Sequence, residues 1–222
     1  MQALAPPDTV VVEGACCSLC GNGPVVLAPN AEKTTTSKHR KVRGDKIMKL
    51  LLESEECDIP EELISSYDTT MQGNKAFLDG EYETAISLYE NAINAGYQVA
   101  MDLQADREKE GTDILSDEGI PVGFLWLVEA RRNEASAKLS MGDLEGALAA
   151  VEASCDISGN KSADSLEMLA DICQKNKDNE GELRALTLFL ELPVPEVAPS
   201  MVANKRRTLG FRKTKLEREI QG

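Results

Sequence analysis

Between Gly73 and Ile93 the chain reads GNKAFLDGEYETAISLYENAI, and no other stretch limits its fold as strongly. Glycine or alanine at two helix-crossing positions lets backbones approach. Tyr82, Ala85, Ile86, Tyr89, Ala92 and Ile93 recur at helical spacing and must bury a stripe. The pattern predicts a helix-turn-helix unit. One such hairpin cannot cover its own stripe, so further copies are expected to stack on it.

Two more copies follow. Aligning Gly80-Glu81-Tyr82-Glu83 with Gly142-Asp143-Leu144-Glu145 brings Ala85 onto Ala147, Ile86 onto Leu148 and Tyr89 onto Val151. A third copy begins near Ser162, with Leu166, Leu169, Ala170 and Ile172 on one helix and Leu183, Leu186, Phe189 and Leu190 on the next, closed by Pro193. It has Lys177-Asp178-Asn179 where the others have a turn glycine. The second and third turns, at 142 and 177, are 35 residues apart, whereas the first and second, at 80 and 142, are 62 apart. An insertion of roughly one hairpin, approximately 103–119, therefore separates the first two copies. It is charged, and the sequence leaves open whether it is a loop or holds a short helix.

These residues resemble the tetratricopeptide repeat family over about Glu61 to Pro195, without its usual early tryptophan. The resemblance implies a mainly α fold: antiparallel helix pairs stacked right-handedly, with a concave groove for protein partners lined by the first helix of each pair. It nominates Thr70, Asn74 and Phe77 in the first copy, Glu129, Arg132, Asn133 and Ser136 in the second, and Asp164, Glu167 and Asp171 in the third. Some members grip a chaperone's C-terminal carboxylate with two asparagines and three basic residues. Asn74 and Asn133 match the asparagines, but Thr70, Glu167 and Asp171 hold the basic positions, so a carboxylate would be repelled. The groove is expected to take a basic or mixed-charge segment instead.

The charge is uneven. Residues 61–195 carry ten basic and 27 acidic groups, against seven and eight in 1–60 and seven and three in 196–222, within a net charge of −14. So acidic a body repels phosphates and anionic membranes, and nucleic-acid binding is disfavoured. The tail is the exception: Lys205, Arg206, Arg207, Arg212, Lys213, Lys215 and Arg218 form a basic run containing Leu209, Phe211, Leu216 and Ile220. It is either a solvated tail or a contact with a neighbouring subunit. Eight of the nine aromatic residues fall between Tyr67 and Phe189, where the best core is expected. No apolar run is long enough to span a bilayer, and residues 1–30 lack a basic start followed by a long apolar stretch, so neither a membrane span nor secretion by that route is expected.

The beginning, DTVVVEGACCSLCGNGPVVLAPN, sets candidate strands Val10–Val12 and Val25–Leu27 around a loop with Cys16, Cys17 and Cys20. A third strand near Lys38–Val42 and a helix capped by Asp45 complete a small ββα appendage over 1–60. The run Cys16-x3-Cys20-Gly-x-Gly-Pro-Val-Val resembles the second half of a thioredoxin-like two-iron two-sulfur ferredoxin. That resemblance makes Cys16 and Cys20 metal ligands, but the first half of the domain, with its two cysteines, is missing, and a cluster needs four thiolates. Three readings stand: a relic without a cofactor, which we adopt, a cluster completed by another chain, and plain or redox thiols. His39 is the lone histidine, which disfavours zinc.

There is no phosphate-cradling loop and no Gly-x-Ser-x-Gly elbow, so no enzyme is expected. The sequence reading is a non-catalytic adaptor or scaffold working through protein partners. The ferredoxin-like start suggests a peripheral linker in a plastid photosynthetic membrane complex, in the stroma or alternatively the cytoplasm. The alternative function is an iron-sulfur electron carrier using the Cys16/Cys20 loop.

Overall fold

The computed structural model describes residues 25–30, 33–40, 60–110, 119–121, 124–193 and 199–221. Strands β1 (Val25–Asn30) and β2 (Lys33–Arg40) pair antiparallel, Val25 opposite Arg40 and Ala28 opposite Ser37. The register slips between Pro29 and Asn30, where proline has no N–H to give the ladder. β1 covers the expected Val25–Leu27 strand, while β2 starts five residues before the expected Lys38. The expected strand Val10–Val12 and the helix from Asp45 lie outside the described residues.

The rest is helical: α1 (Glu61–Leu78), α2 (Tyr82–Glu110), α3 (Leu125–Ser140), α4 (Leu144–Ile157), α5 (Ala163–Asn176), α6 (Asn179–Glu191) and α7 (Pro199–Gln221). Three hairpins arise, α1–α2, α3–α4 and α5–α6. The turns inside them share one set of bonds. Glu81 N–H donates to Ala76 C=O, Asp143 N–H to Lys138 C=O and Asp178 N–H to Cys173 C=O, each at 2.9 Å. This five-residue reach satisfies a terminal helix carbonyl and requires a left-handed residue just before the donor. Gly80 (φ 80°) and Gly142 (φ 81°) supply it, and at the third turn Lys177 adopts the same conformation at φ 59°. Asp143 and Asp178 then cap the following helices, accepting from Gly146 N–H and Gly181 N–H, each at 2.9 Å.

Each hairpin packs its second helix on the first helix of the next, α2 on α3 and α4 on α5, and the first helices meet in turn, α1 with α3 and α3 with α5. Gly73 is what lets α1 meet α2, because a Cβ there would stand 2.7 Å from the buried Tyr89 ring. Buried serines knit the three-helix junctions. Ser66 of α1 donates to Ala92 C=O of α2 (2.6 Å) and accepts from Trp126 Nε1 of α3 (3.1 Å). Ser154 of α4 donates to Val128 C=O of α3 (2.9 Å) and shares a hydrogen bond with Ser165 of α5 (2.8 Å). Two apolar clusters result, one around Tyr89, Trp126 and Leu127, the other around Val151, Leu166 and Leu186.

The insertion is where the sequence left a choice. Residues 103–110 continue α2, which is described over 29 residues, Tyr82–Glu110. Gln98 to Asp102 (2.9 Å), Gln104 to Glu108 (3.2 Å) and Lys109 to Asp106 (2.9 Å) are side-chain pairs at helical spacing along it.

The left-handed turn generates a paired test. Lys177→Gly removes the strain of a Cβ in that conformation and is expected to raise stability by about 0.5–1 kcal/mol, while Gly142→Ala introduces the strain and costs about 1 kcal/mol. Urea midpoints of the two variants read the opposite signs. Two shifts of the same sign would refute the equivalence of the turns.

Candidate functional site

The first helices α1, α3 and α5 carry the residues nominated from the sequence, and their environments differ sharply. Thr70 is 2% exposed and donates back to Ser66 C=O at 3.0 Å, so its side chain is part of the core and not offered to a partner. Asn74 Oδ1 accepts from both Tyr89 Oη and Asn133 Nδ2, each at 2.9 Å, which ties α1, α2 and α3 through one amide. Burial, then the charge of Glu129, pushes the Tyr89 hydroxyl up to about 12, so it remains a donor. Phe77 is half-buried and leans on Tyr82, ring centroids 5.6 Å apart. Ser136 donates to Arg132 C=O within α3.

The second and third copies converge. Arg132 of α3 reaches Asp164 of α5 at 3.1 Å. Beside this pair lies a cavity of about 450 Å³ between α3 and α5, bordered by the charged Arg132, Asp164, Glu167, Asp171 and Lys175 and by the apolar Leu139, Met168 and Ile172. Asp164 and Asp171 keep more than half their side-chain surface in solvent, at 62% and 54%. These exposed pairs add little to stability and leave lone pairs open to a further cation.

The basic tail meets this same face. α7 folds back as an amphipathic helix, burying Leu209 and Leu216, and its inward cations reach α5 and α6. Lys205 pairs with Glu167 and lies 3.9 Å from Asp164, its ammonium 6.0 Å from the Phe189 ring centroid. Arg206 donates to the carbonyls of Leu190 and Leu192, capping the C-terminus of α6. Arg212 binds Asp171 (2.5 Å), Glu182 (2.6 Å) and Ala170 C=O (2.9 Å). Burial opposes its charge, and the two carboxylates more than offset that, raising it above its ordinary value. Lys213 pairs along α7 with Glu217 at 3.3 Å, and Arg207 bonds Asn204 at 3.2 Å. Of the tail residues nominated as contacts, Lys205, Arg206 and Arg212 thus contact the body of their own chain.

Sequence reasoning missed two buried carboxylates. Glu134, 2% exposed, sits between Arg131 (2.8 Å) and Lys138 (2.6 Å) on its own helix, a spacing of three and four that was there to find. Glu182, 3% exposed, depends on Arg212, thirty residues away, and no local signal marks it.

Cys16 and Cys20 lie outside the described residues. Cys155 and Cys173 are buried in the α4–α6 core, and burial foremost pushes their thiols up to about 12 and about 11. Such thiols are protonated and poor metal ligands. Among the described residues no group of three or more His, Cys, Asp or Glu is arranged to hold a metal. No described helix is long and apolar enough to cross a membrane.

Arg212→Ala leaves Glu182 charged and buried, and is expected to cost roughly 3 kcal/mol. Denaturant unfolding reads the loss, and a change below about 1 kcal/mol would contradict the pairing. The thiols give a pH dependence. Native Cys155 and Cys173 keep protons that free thiols release near 9.0, so the native state binds more protons above that pH. Their contribution is full below about pH 9 and is lost as pH rises toward 12. Between pH 8 and pH 10.5 the urea midpoint is therefore expected to fall more steeply in the native sequence than in Cys155→Ala/Cys173→Ala. Compared with known proteins, the sequence matches no family model and no curated relative.

Proposed function

We propose that this chain is a non-catalytic adaptor of tetratricopeptide type, and that the line of α1, α3 and α5 receives a mixed-charge segment of a protein partner. The observation that carries the reading is the cavity of about 450 Å³ between α3 and α5, where residues of two successive copies frame one opening. Arg132 stands on the α3 side and Asp164, Glu167 and Asp171 on the α5 side, with Lys175 beyond them, so the opening offers both signs of charge beside apolar residues. The expectation of a basic or mixed-charge segment is narrowed to its mixed-charge form, because Lys205 and Arg212 already occupy part of the acidic face. A segment presenting a cation to the exposed edges of Asp164 and Asp171 and a carboxylate to Arg132 suits what remains.

The ferredoxin-like likeness of the Cys16/Cys20 loop extends the proposal to a peripheral linker subunit of a plastid photosynthetic complex, with other chains as its partners. The test begins with tagged protein purified from its source and the proteins retained with it. Asp164→Asn/Asp171→Asn is expected to keep the helical circular dichroism of the parent while retaining the principal partner at least tenfold less, with a shallower dependence on salt. Equal retention and an unchanged salt dependence would remove this face from partner binding.

A further inference from the structure

The cations of α7 divide between two opposite faces. Lys205, Leu209, Arg212 and Leu216 recur at four, three and four residues and face the array, where each has a partner or is buried. Arg207, Phe211, Lys215 and Arg218 recur at four, four and three residues on the outward side, all exposed, with Lys215 at its edge beside a gap that Gln174 and Glu182 also line. Phe211 is 72% exposed and the Lys215 side chain 80%. Among the described residues Arg207 and Arg218 form no ion pair, and Lys215 has only Glu219, at 3.6 Å on its own helix.

The inner face explains why the outer one is a fixed surface. Arg212 neutralises the buried Glu182, Arg206 caps α6 through the Leu190 and Leu192 carbonyls, and Leu209 and Leu216 are buried, so α7 is pinned from Lys205 to Leu216. Its outer cations contribute nothing to that attachment. They form a stripe about 16 Å long, three helical turns with one aromatic ring at its middle.

We propose that this outer stripe of α7 is a second interaction surface, one that binds an acidic helical segment of another protein with an apolar residue over Phe211. Charge complementarity selects the occupant. A polynucleotide would have to lie close to a body carrying 27 acidic and ten basic groups over 61–195, which repels a long phosphate chain. A bilayer surface needs a broad apolar helix face, and this one offers a single ring. A short acidic segment meets the three cations and the ring without approaching the acidic body. The proposal stands apart from the opening between α3 and α5, which lies on other helices.

The experiment uses the full chain and a fluorescein-labelled synthetic helical peptide, with glutamates at four-residue spacing and one central leucine, read by anisotropy at low and at physiological salt. Saturable, salt-sensitive binding is expected. It should weaken at least tenfold in Arg207→Glu/Lys215→Glu/Arg218→Glu, and several-fold in Phe211→Ala or when serine replaces the peptide's leucine. Thermal unfolding of the variants should match the parent. If the triple variant melts early, Phe211→Ala and the serine peptide carry the comparison. Lack of saturable binding, or equal binding by Phe211→Ala and the serine peptide, overturns the proposal. So does tighter binding of a single-stranded oligonucleotide or of phosphatidylserine vesicles than of the peptide.

Discussion

The hydrogen bond that reaches back five residues across each hairpin turn is the constraint from which the described helical array is built. It fixes a left-handed residue at Gly80, Gly142 and Lys177 and thereby the angle at which each second helix leaves the first. Once those angles match, the first helices of successive pairs come side by side, and residues from different copies can share one opening. The serines then act on a geometry already set. Ser66 and Ser154 are each fully buried and must find partners. Each finds one partner inside its own hairpin, Ala92 C=O or Val128 C=O, and a second because a third helix is brought within reach, Trp126 of α3 in one case and Ser165 of α5 in the other. Hairpin geometry, inter-repeat stacking and polar satisfaction are one chain of cause.

The C-terminal end of the array poses the problem every stacked structure has, an apolar face with no further copy to cover it. α7 solves it with two buried leucines and a set of charges. The electrostatic part is the less forgiving of the two. Glu182 is 3% exposed and would be intolerable as a lone carboxylate, whereas the exposed Asp164 and Asp171 lose little when a partner is withdrawn. The same helix therefore has one anchor that binds strongly, Arg212 at Glu182, and others at the rim that are exchangeable.

How much of this was legible in the sequence depends on distance along the chain. The turns at Gly80 and Gly142 and the stripes behind them were readable because a repeat shows its geometry within about twenty residues. The third turn was placed by the apolar stripes on either side of it and by the 35-residue spacing, although Lys177 hides the conformation that glycine advertises. The helical continuation through 103–110 was undecided, because charged residues at i and i+4 suit a solvated helix and a loop alike until the pairs are seen. The candidate site was half legible. Arg132, Asp164, Glu167 and Asp171 do border one cavity, while Thr70 turned inward, since a threonine on a first helix looks the same whether it faces a groove or a neighbouring helix. What no local pattern showed was the tail meeting the acidic face, an encounter between residues 41 apart in the case of Arg212 and Asp171. The Cys16/Cys20 reading lies outside the described residues and rests on its residues alone.

That encounter changes the meaning of the charge imbalance. Read along the chain, an acidic body and a basic tail look like two surfaces waiting for two partners of opposite sign. In the folded chain, part of that complementarity is met internally, because Lys205 and Arg212 lie against Glu167, Asp171 and Glu182. The acidic face is thereby moderated into one of mixed sign, and a purely basic ligand would have to displace cations already tethered to the same chain. Tethering gives those cations a high local concentration, so a competitor must bring something more than charge. Near the opening between α3 and α5 that extra contribution is available from the half-buried Leu139 and Met168. For the proposed partner segment, shape and apolar contact would therefore count for more than net charge.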